Sequence, residues 1–185
     1  MTEDFLSKFS ISFADFCNDV ESRKVVIVRD TRSSGKIIED IISKTLSNKG
    51  IEVNLIGVVS TPGLAYITKE SNFSYGIMIT ASHNPASDNG IKIFSSSGFK
   101  LDIDSERIIE YKINNFESTK NCSNGAIKVE KKQVNKYIKY LENYDLNISK
   151  NKYLIDCSNG SNSNICNNLF RNNDNIKLIY NNPDG

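Results

Sequence analysis

Apolar residues recur every three or four positions between Thr2 and Asn18, at Phe5, Leu6, Phe9, Phe13 and Phe16. This spacing predicts an amphipathic helix that turns a core-facing stripe inward, with a break near Ser10. The pattern then changes. Lys24 to Arg29 (KVVIVR) is a short apolar run that reads as a buried strand. The polar turn Asp30-Thr31-Arg32-Ser33-Ser34-Gly35 follows it and opens a helix over Lys36 to Asn48. Glu52 to Val58 (EVNLIGV) reads as the next strand. Ser60-Thr61-Pro62 starts a helix through Gly63 to Glu70, with Ser or Thr capping and Pro in the first turn. Tyr75 to Thr80 (YGIMIT) is a third strand, apolar enough to be buried on both faces. Strands alternating with helices predict βαβ units with right-handed crossovers. Loops at the carboxyl ends of such strands converge on one crevice.

Further along, Ile91 to Phe94 predicts a fourth strand, and Asp102 to Asn115 a helix with Ile103, Ile108, Ile109 and Ile113 on roughly one face. Asp102 and Asp104 read as caps that favour the helix N-terminus rather than as a metal pair. Residues 116 to 128 read as a linker or surface excursion, and Lys131 to Tyr144 as a helix running between domains. A new βα unit follows, with a strand at Tyr153 to Ile155, a helix over Ser161 to Arg171 and a strand at Ile176 to Tyr180. Domain boundaries are therefore expected at 1–128, 129–150 and 151–185. The last unit should show an open sheet edge and an uncovered apolar face, with marginal order beyond about residue 150.

Candidate chemistry concentrates in the loop after the third strand. Ala81 to Gly90 holds Ser82, His83 (the only histidine), Asn84-Pro85 and Asp88-Asn89-Gly90. Proline fixes φ while Asn and Gly accept positive φ, so turns on both sides can hold the Ser82 hydroxyl outside the sheet edge. Lys92 lies just past the second turn, and its head can return to the same mouth. Its charge suits a phosphate, and a partly desolvated lysine can also move protons. At the earlier turn, helix N-terminal amides can face an anion, although Asp30 or Ser33 as helix caps and Arg32 as a surface charge are the plainer readings there.

Composition narrows the partners. The 185 residues carry a net charge of +1 with no polybasic tract, so neither nucleic acid nor an anionic membrane is the expected partner. Cys17, Cys122, Cys157 and Cys166 are scattered without ligand spacing, which argues against a zinc site or a disulfide framework. They read as reduced thiols of a cytoplasmic protein. No signal peptide or long apolar span is visible.

The segment T-A-S-H-N-P followed by D-N-G-I-K resembles the phosphoserine loop of the α-D-phosphohexomutase family. The continuation FSSSGFKL is most like that family's bacterial phosphoglucosamine mutase branch. D-T-R-x-S-G at Asp30 to Gly35, S-T-P-G-L-A-Y from Ser60, D-C-S-N-G from Asp156 and P-D-G at Pro183 to Gly185 are similar to further segments of the family pattern. The resemblance implies a three-layer α/β/α domain I with a mixed, mainly parallel sheet, followed by an incomplete second α/β domain. It implies that Ser82 carries a transferable phosphoryl group and is a metal ligand through that phosphate. Lys92 matches the D-N-G-x-K lysine, and Asn84 and Arg32 support the loop or bind phosphate; His83, read from its position in the loop, is a loop-orienting hydrogen-bond partner ahead of a general base.

By the same resemblance, glucosamine 6-phosphate and glucosamine 1-phosphate are interconverted through a 1,6-bisphosphate, with Mg²⁺ held by Ser82 and three aspartates of a D-G-D-G-D-R loop. That loop, the sugar-recognition loop and the R-x-S-G-T phosphate clamp do not occur in these residues. A separate chain supplying the missing domains is one expected partner, a phosphorylated hexose or hexosamine the other. The chain by itself is expected to be inactive. Phosphomannomutase or phosphoglucomutase activity, and a non-catalytic relic or split-subunit interaction domain, are the alternatives that the residues leave open.

Overall fold

The computed structural model describes residues 1–19, 22–117, 124–144 and 151–183. Cys122, residues 145–150 of the expected connecting segment, and Asp184 and Gly185 of the P-D-G lie outside the described residues.

A five-stranded sheet of order β4-β3-β1-β2-β5 organises the first unit. β1 (Lys24–Arg29) sits at its centre, flanked in parallel by β2 (Glu52–Val58) and β3 (Tyr75–Ile79). β4 (Ile91–Ser95) pairs antiparallel with β3, so the sheet is mixed and mainly parallel, as expected. Both faces are covered because alternate residues of the central strand point to opposite sides. Val25 and Ile27 enter one core with α1 (Glu3–Phe16), α2 (Gly35–Asn48) and Ile109 of α4 (Ile103–Asn114). Val26 and Val28 enter the other with α3 (Thr61–Glu70) and α5 (Gln133–Glu142). A register shift between Ile27 and Val28 against β2 inserts an extra residue at its carboxyl end. Gly57 supplies the positive φ of +96° there.

Three sequence expectations change. The helix at the N-terminus is unbroken, since the Ser10 hydroxyl donates to the Leu6 carbonyl at 2.7 Å and stays buried within the helix. The isoleucines of α4 do not share one face: Ile109 is buried, whereas Ile103 and Ile108 are 66% and 49% exposed. Residues 127–129, within the expected linker, form β5 (Ile127–Val129), parallel to β2. Its side chains are exposed, so no hydrophobic alternation marks it. Backbone pairing, a 2.8 Å ion pair from Lys128 to Glu52 and the Ser47–Gly125 hydrogen bonds hold it instead. On its α3 side the sheet is also covered by α5, whose Tyr137 lies tilted against Tyr66 at 5.5 Å between ring centroids.

The second unit is small. β6 (Tyr153–Asp156) and β7 (Ile176–Ile179) pair in parallel, joined by α6 (Ser163–Leu169), whose Ile165 enters the α3/α5 core. Leu154 is 64% exposed and its partner across the pair, Lys177, is exposed too, so that face of the sheet is uncovered, as its two-strand size requires.

Phe13 is fully buried and packs against Phe9, Phe16 and Tyr75. Phe13→Ala should lower the unfolding free energy by about 3–5 kcal/mol in urea denaturation. Ile103→Ala should change it by less than about 0.5 kcal/mol.

Candidate functional site

Asp30 ends the central strand and remains tied to it, its amide donating to the Ile79 carbonyl at 3.0 Å. Its carboxylate is engaged on both oxygens. Oδ1 accepts from the Arg32 amide at 3.0 Å, and Oδ2 accepts from Arg32 Nε at 3.0 Å and from the Thr80 hydroxyl at 2.7 Å. An aspartate that accepts from the amide two residues on closes an Asx turn. This turn folds Arg32 back across the carboxyl edge of the sheet.

The guanidinium of Arg32 then reaches the serine loop. Nη2 donates to the carbonyls of Ser82 and Asn84, both at 2.9 Å, while Nη1 donates to Asp88 at 3.2 Å and to Pro85. Arginine has five N–H donors in a rigid planar fork. All five are committed here, one to Asp30 and four to the loop backbone. Arg32 is therefore neither a surface charge nor a free phosphate ligand. It is 9% exposed, ion-paired, and shapes the loop from inside.

Ser82 sits at φ +57°, in the left-handed region that costs a non-glycine residue energy. Two hydrogen bonds hold it there: its amide donates to the Thr80 hydroxyl at 2.9 Å, and its carbonyl accepts from Arg32. The backbone is thus fixed while the side chain stays exposed, with Oγ 3.4 Å from Nδ1 of His83. At the far end, Asn89 and Ser34 exchange hydrogen bonds near 3.0 Å, and the Gly90 carbonyl accepts from the Thr80 amide at 2.9 Å. A Cβ at Gly90 would stand 2.6 Å from the Thr80 carbonyl oxygen, so only glycine closes the loop this tightly.

The loop forms one wall of a cleft of about 760 Å³. Ser60, Thr61 and Pro62 at the start of α3 form a second wall, and residues 158–161 of the second unit a third. The α3 N-terminus brings positive helix-dipole potential to a cleft that contains Ser82, a setting that favours an anion.

Of the residues singled out from sequence, Ser82, His83, Asn84 and Arg32 all line this cleft. Lys92 is not among its lining residues. It lies opposite Met78 in the antiparallel β3–β4 pair, so it leaves the sheet on the same face as Met78, which does line the cleft, one strand further out. Asp30 and Thr80, which set the geometry, are not legible as such in the sequence, where Asp30 reads as a helix cap and Thr80 as the end of a strand. The N-cap of α2 is Ser34, and Asp30 makes no helix-capping bond there. The D-x-R spacing was the available signal. Asp102 does cap α4, accepting from the Ser105 amide at 2.9 Å, and these bonds hold its carboxyl below the usual range. Among the described residues no group of three His, Cys, Asp or Glu side chains could hold a metal ion.

Residues 1–120 match the family model described as phosphoglucomutase/phosphomannomutase, alpha/beta/alpha domain I. The chain is 42% identical over 157 residues to a phosphoglucosamine mutase of Listeria monocytogenes, covering 81% of this chain and 34% of that protein. It is 37% identical over 173 residues to the phosphoglucosamine mutase of Streptococcus agalactiae, covering 91% and 38%. The chain thus spans about a third of the length of these relatives. In fold it is similar to a Thermus thermophilus protein assigned as a phosphomannomutase, with TM-score 0.83 at 21% identity over 99% of this chain and 43% of that one. A phosphoglucomutase/phosphomannomutase family protein of Burkholderia thailandensis gives TM-score 0.74 at 19% identity, covering 100% and 41%.

Arg32→Lys keeps the charge but supplies three donors from a single nitrogen in place of the fork. Amide hydrogen exchange of residues 81–90 should rise by at least about tenfold in this variant, in line with loss of hydrogen bonds worth about 1–3 kcal/mol. Exchange of β1 should change far less.

Proposed function

The chain belongs to the phosphoglucomutase/phosphomannomutase family, and from that premise we propose that Ser82 is the phosphoryl carrier of a phosphoglucosamine mutase. The proposed reaction interconverts glucosamine 6-phosphate and glucosamine 1-phosphate. Phospho-Ser82 donates its group to the sugar monophosphate, and the other phosphate of the resulting 1,6-bisphosphate returns to Ser82. Because the chain spans about a third of its relatives, this activity is that of a protein in which further domains, in the same or a second polypeptide, complete the site. The 42% identity to phosphoglucosamine mutases supports the sugar assignment over mannose or glucose phosphates.

The observation that carries the reading is the buried clasp that holds an exposed serine. A phosphoserine brings about −1.5 to −2 charges, and a group that both gives and takes a phosphoryl must keep its oxygen in one place through both transfers. The Asp30–Arg32–Thr80 network supplies that placement without spending cations on the phosphate. Charge compensation from this chain falls to the α3 N-terminus and to Lys92, which can extend from β4 along the Met78 face. Within the loop, His83 Nδ1, 3.4 Å from the Ser82 oxygen, would orient it, and Asn84 lines the same cleft.

Mg²⁺ serves the family as a Lewis acid on the migrating phosphate. The residues present do not form a site for it, since Asp30, the carboxylate in the cleft, has both oxygens engaged, and no three His, Cys, Asp or Glu side chains among the described residues cluster to hold a metal ion. A phosphate on Ser82 is the one ligand proposed from this chain. No helix among the described residues is long and apolar enough to cross a membrane.

Residues 1–183 joined to the remaining two thirds of the Listeria relative should turn over glucosamine 6-phosphate with higher kcat/KM than mannose 6-phosphate or glucose 6-phosphate. Ser82→Ala in that chimera should reduce kcat by at least about a thousandfold. Its melting temperature should change little, because the exposed hydroxyl makes only a long contact, 3.4 Å to His83 Nδ1. Retained turnover would reject the phosphoserine mechanism.

A further inference from the structure

A groove of about 380 Å³ lies between α1 and α4 and shares no lining residue with the cleft. Its floor is apolar. Phe9, Ile93 and Ile109 line it from the core, and Phe5, 39% exposed, stands one turn before Phe9 on the same face of α1. From α4, Glu106 and Glu110 reach the groove, again one turn apart. Lys100 pairs with Glu106 at 3.0 Å, whereas Glu110 is exposed and belongs to no ion pair among the described residues. Met1 also lines the groove and pairs with neither carboxylate. The remaining wall is the base of the serine loop, Gly90 and Ile91. Hydrogen bonds lead from it to the serine: the Gly90 carbonyl accepts from the Thr80 amide, and the Thr80 hydroxyl accepts from the Ser82 amide.

We propose that this groove binds a small apolar organic cation, an alkyl- or arylammonium, with its hydrocarbon on the phenylalanine and isoleucine floor and its charged end at Glu110. The volume falls in the range of small-molecule sites, which are mostly apolar with a few polar groups that fix orientation. The floor disfavours a sugar phosphate, whose hydroxyls would give up water there without gaining partners. Two carboxylates at the rim, only one of them paired, repel anions and leave one negative charge for a cation to meet. A ligand that joins an apolar body to one ammonium matches both features. The proposal does not rest on the reading of the cleft or on the sugar assignment.

The test titrates 2-phenylethylammonium into the 185-residue chain at low salt and follows backbone amide resonances. Those of Gly90 and Ile91 should shift saturably, while those of β6 in the second unit stay in place. 2-Phenylethanol, alike in shape but uncharged, should bind at least about threefold more weakly, the size of effect an ion pair at the surface supplies. Glu110→Gln, an exposed change that leaves the fold intact, should remove most of that difference. Phe5→Ala should weaken both ligands by about threefold or more through the lost ring contact. Equal affinity for the amine and the alcohol, or undiminished binding in Phe5→Ala, would overturn the proposal. So would the absence of a saturable shift; if sedimentation then rose with protein concentration and fell back in Phe5→Ala, the groove would belong to a second copy of the chain.

Discussion

The ion pair between Asp30 and Arg32 is the contact on which the candidate site depends. Its partners are two residues apart, yet its consequences reach across the sheet. Asp30 remains tied to the central strand, Arg32 spreads over the loop after β3, and Thr80 links the carboxylate to the Ser82 amide. A part-buried ion pair is costly to desolvate unless every donor and acceptor finds a partner. Here the loop carbonyls serve as those partners, so the arginine is satisfied and the loop is shaped by the same bonds. The left-handed Ser82 is the strained residue that this network over-determines.

The surrounding fold makes such a network affordable. β1 is central, covered on both faces and fully buried from Val25 to Val28, so the stem on which Asp30 sits does not move independently of the core. The cleft opens where β1 and β3 end together and α3 begins, the position at which parallel α/β sheets present their loops. Rigid strands therefore carry the clasp, and only the tip of the serine loop is exposed. That division suits a side chain that must be reached by another molecule while its backbone stays in place.

Charge in the cleft is distributed rather than local. Arg32, the nearest cation to Ser82 in the chain's geometry, has no donor to spare, and Lys92 stands one strand away. What faces the serine is the positive end of α3 and a polar turn from the second unit. The site is thus built first for position, with the positive potential this chain brings lying at its periphery.

The strands and helices were legible in the sequence wherever burial imposed a period. KVVIVR, EVNLIGV and YGIMIT were readable because a strand covered on both faces must be apolar throughout, and the Phe5-to-Phe16 stripe because a helix buries one side. The serine loop was legible through turn chemistry and family resemblance. By contrast, β5 was invisible, since its three exposed side chains follow no pattern and its pairing is purely of the backbone. Apart from the family resemblance, which put Arg32 in support of the loop, this residue reads as a surface charge, because its loop acceptors are carbonyls 50 or more residues along the chain, and every residue type carries a carbonyl. Local sequence determines which segments become strands, helices and turns. Only the tertiary structure decides which backbone groups a buried guanidinium will meet, because that depends on where separate strand ends converge.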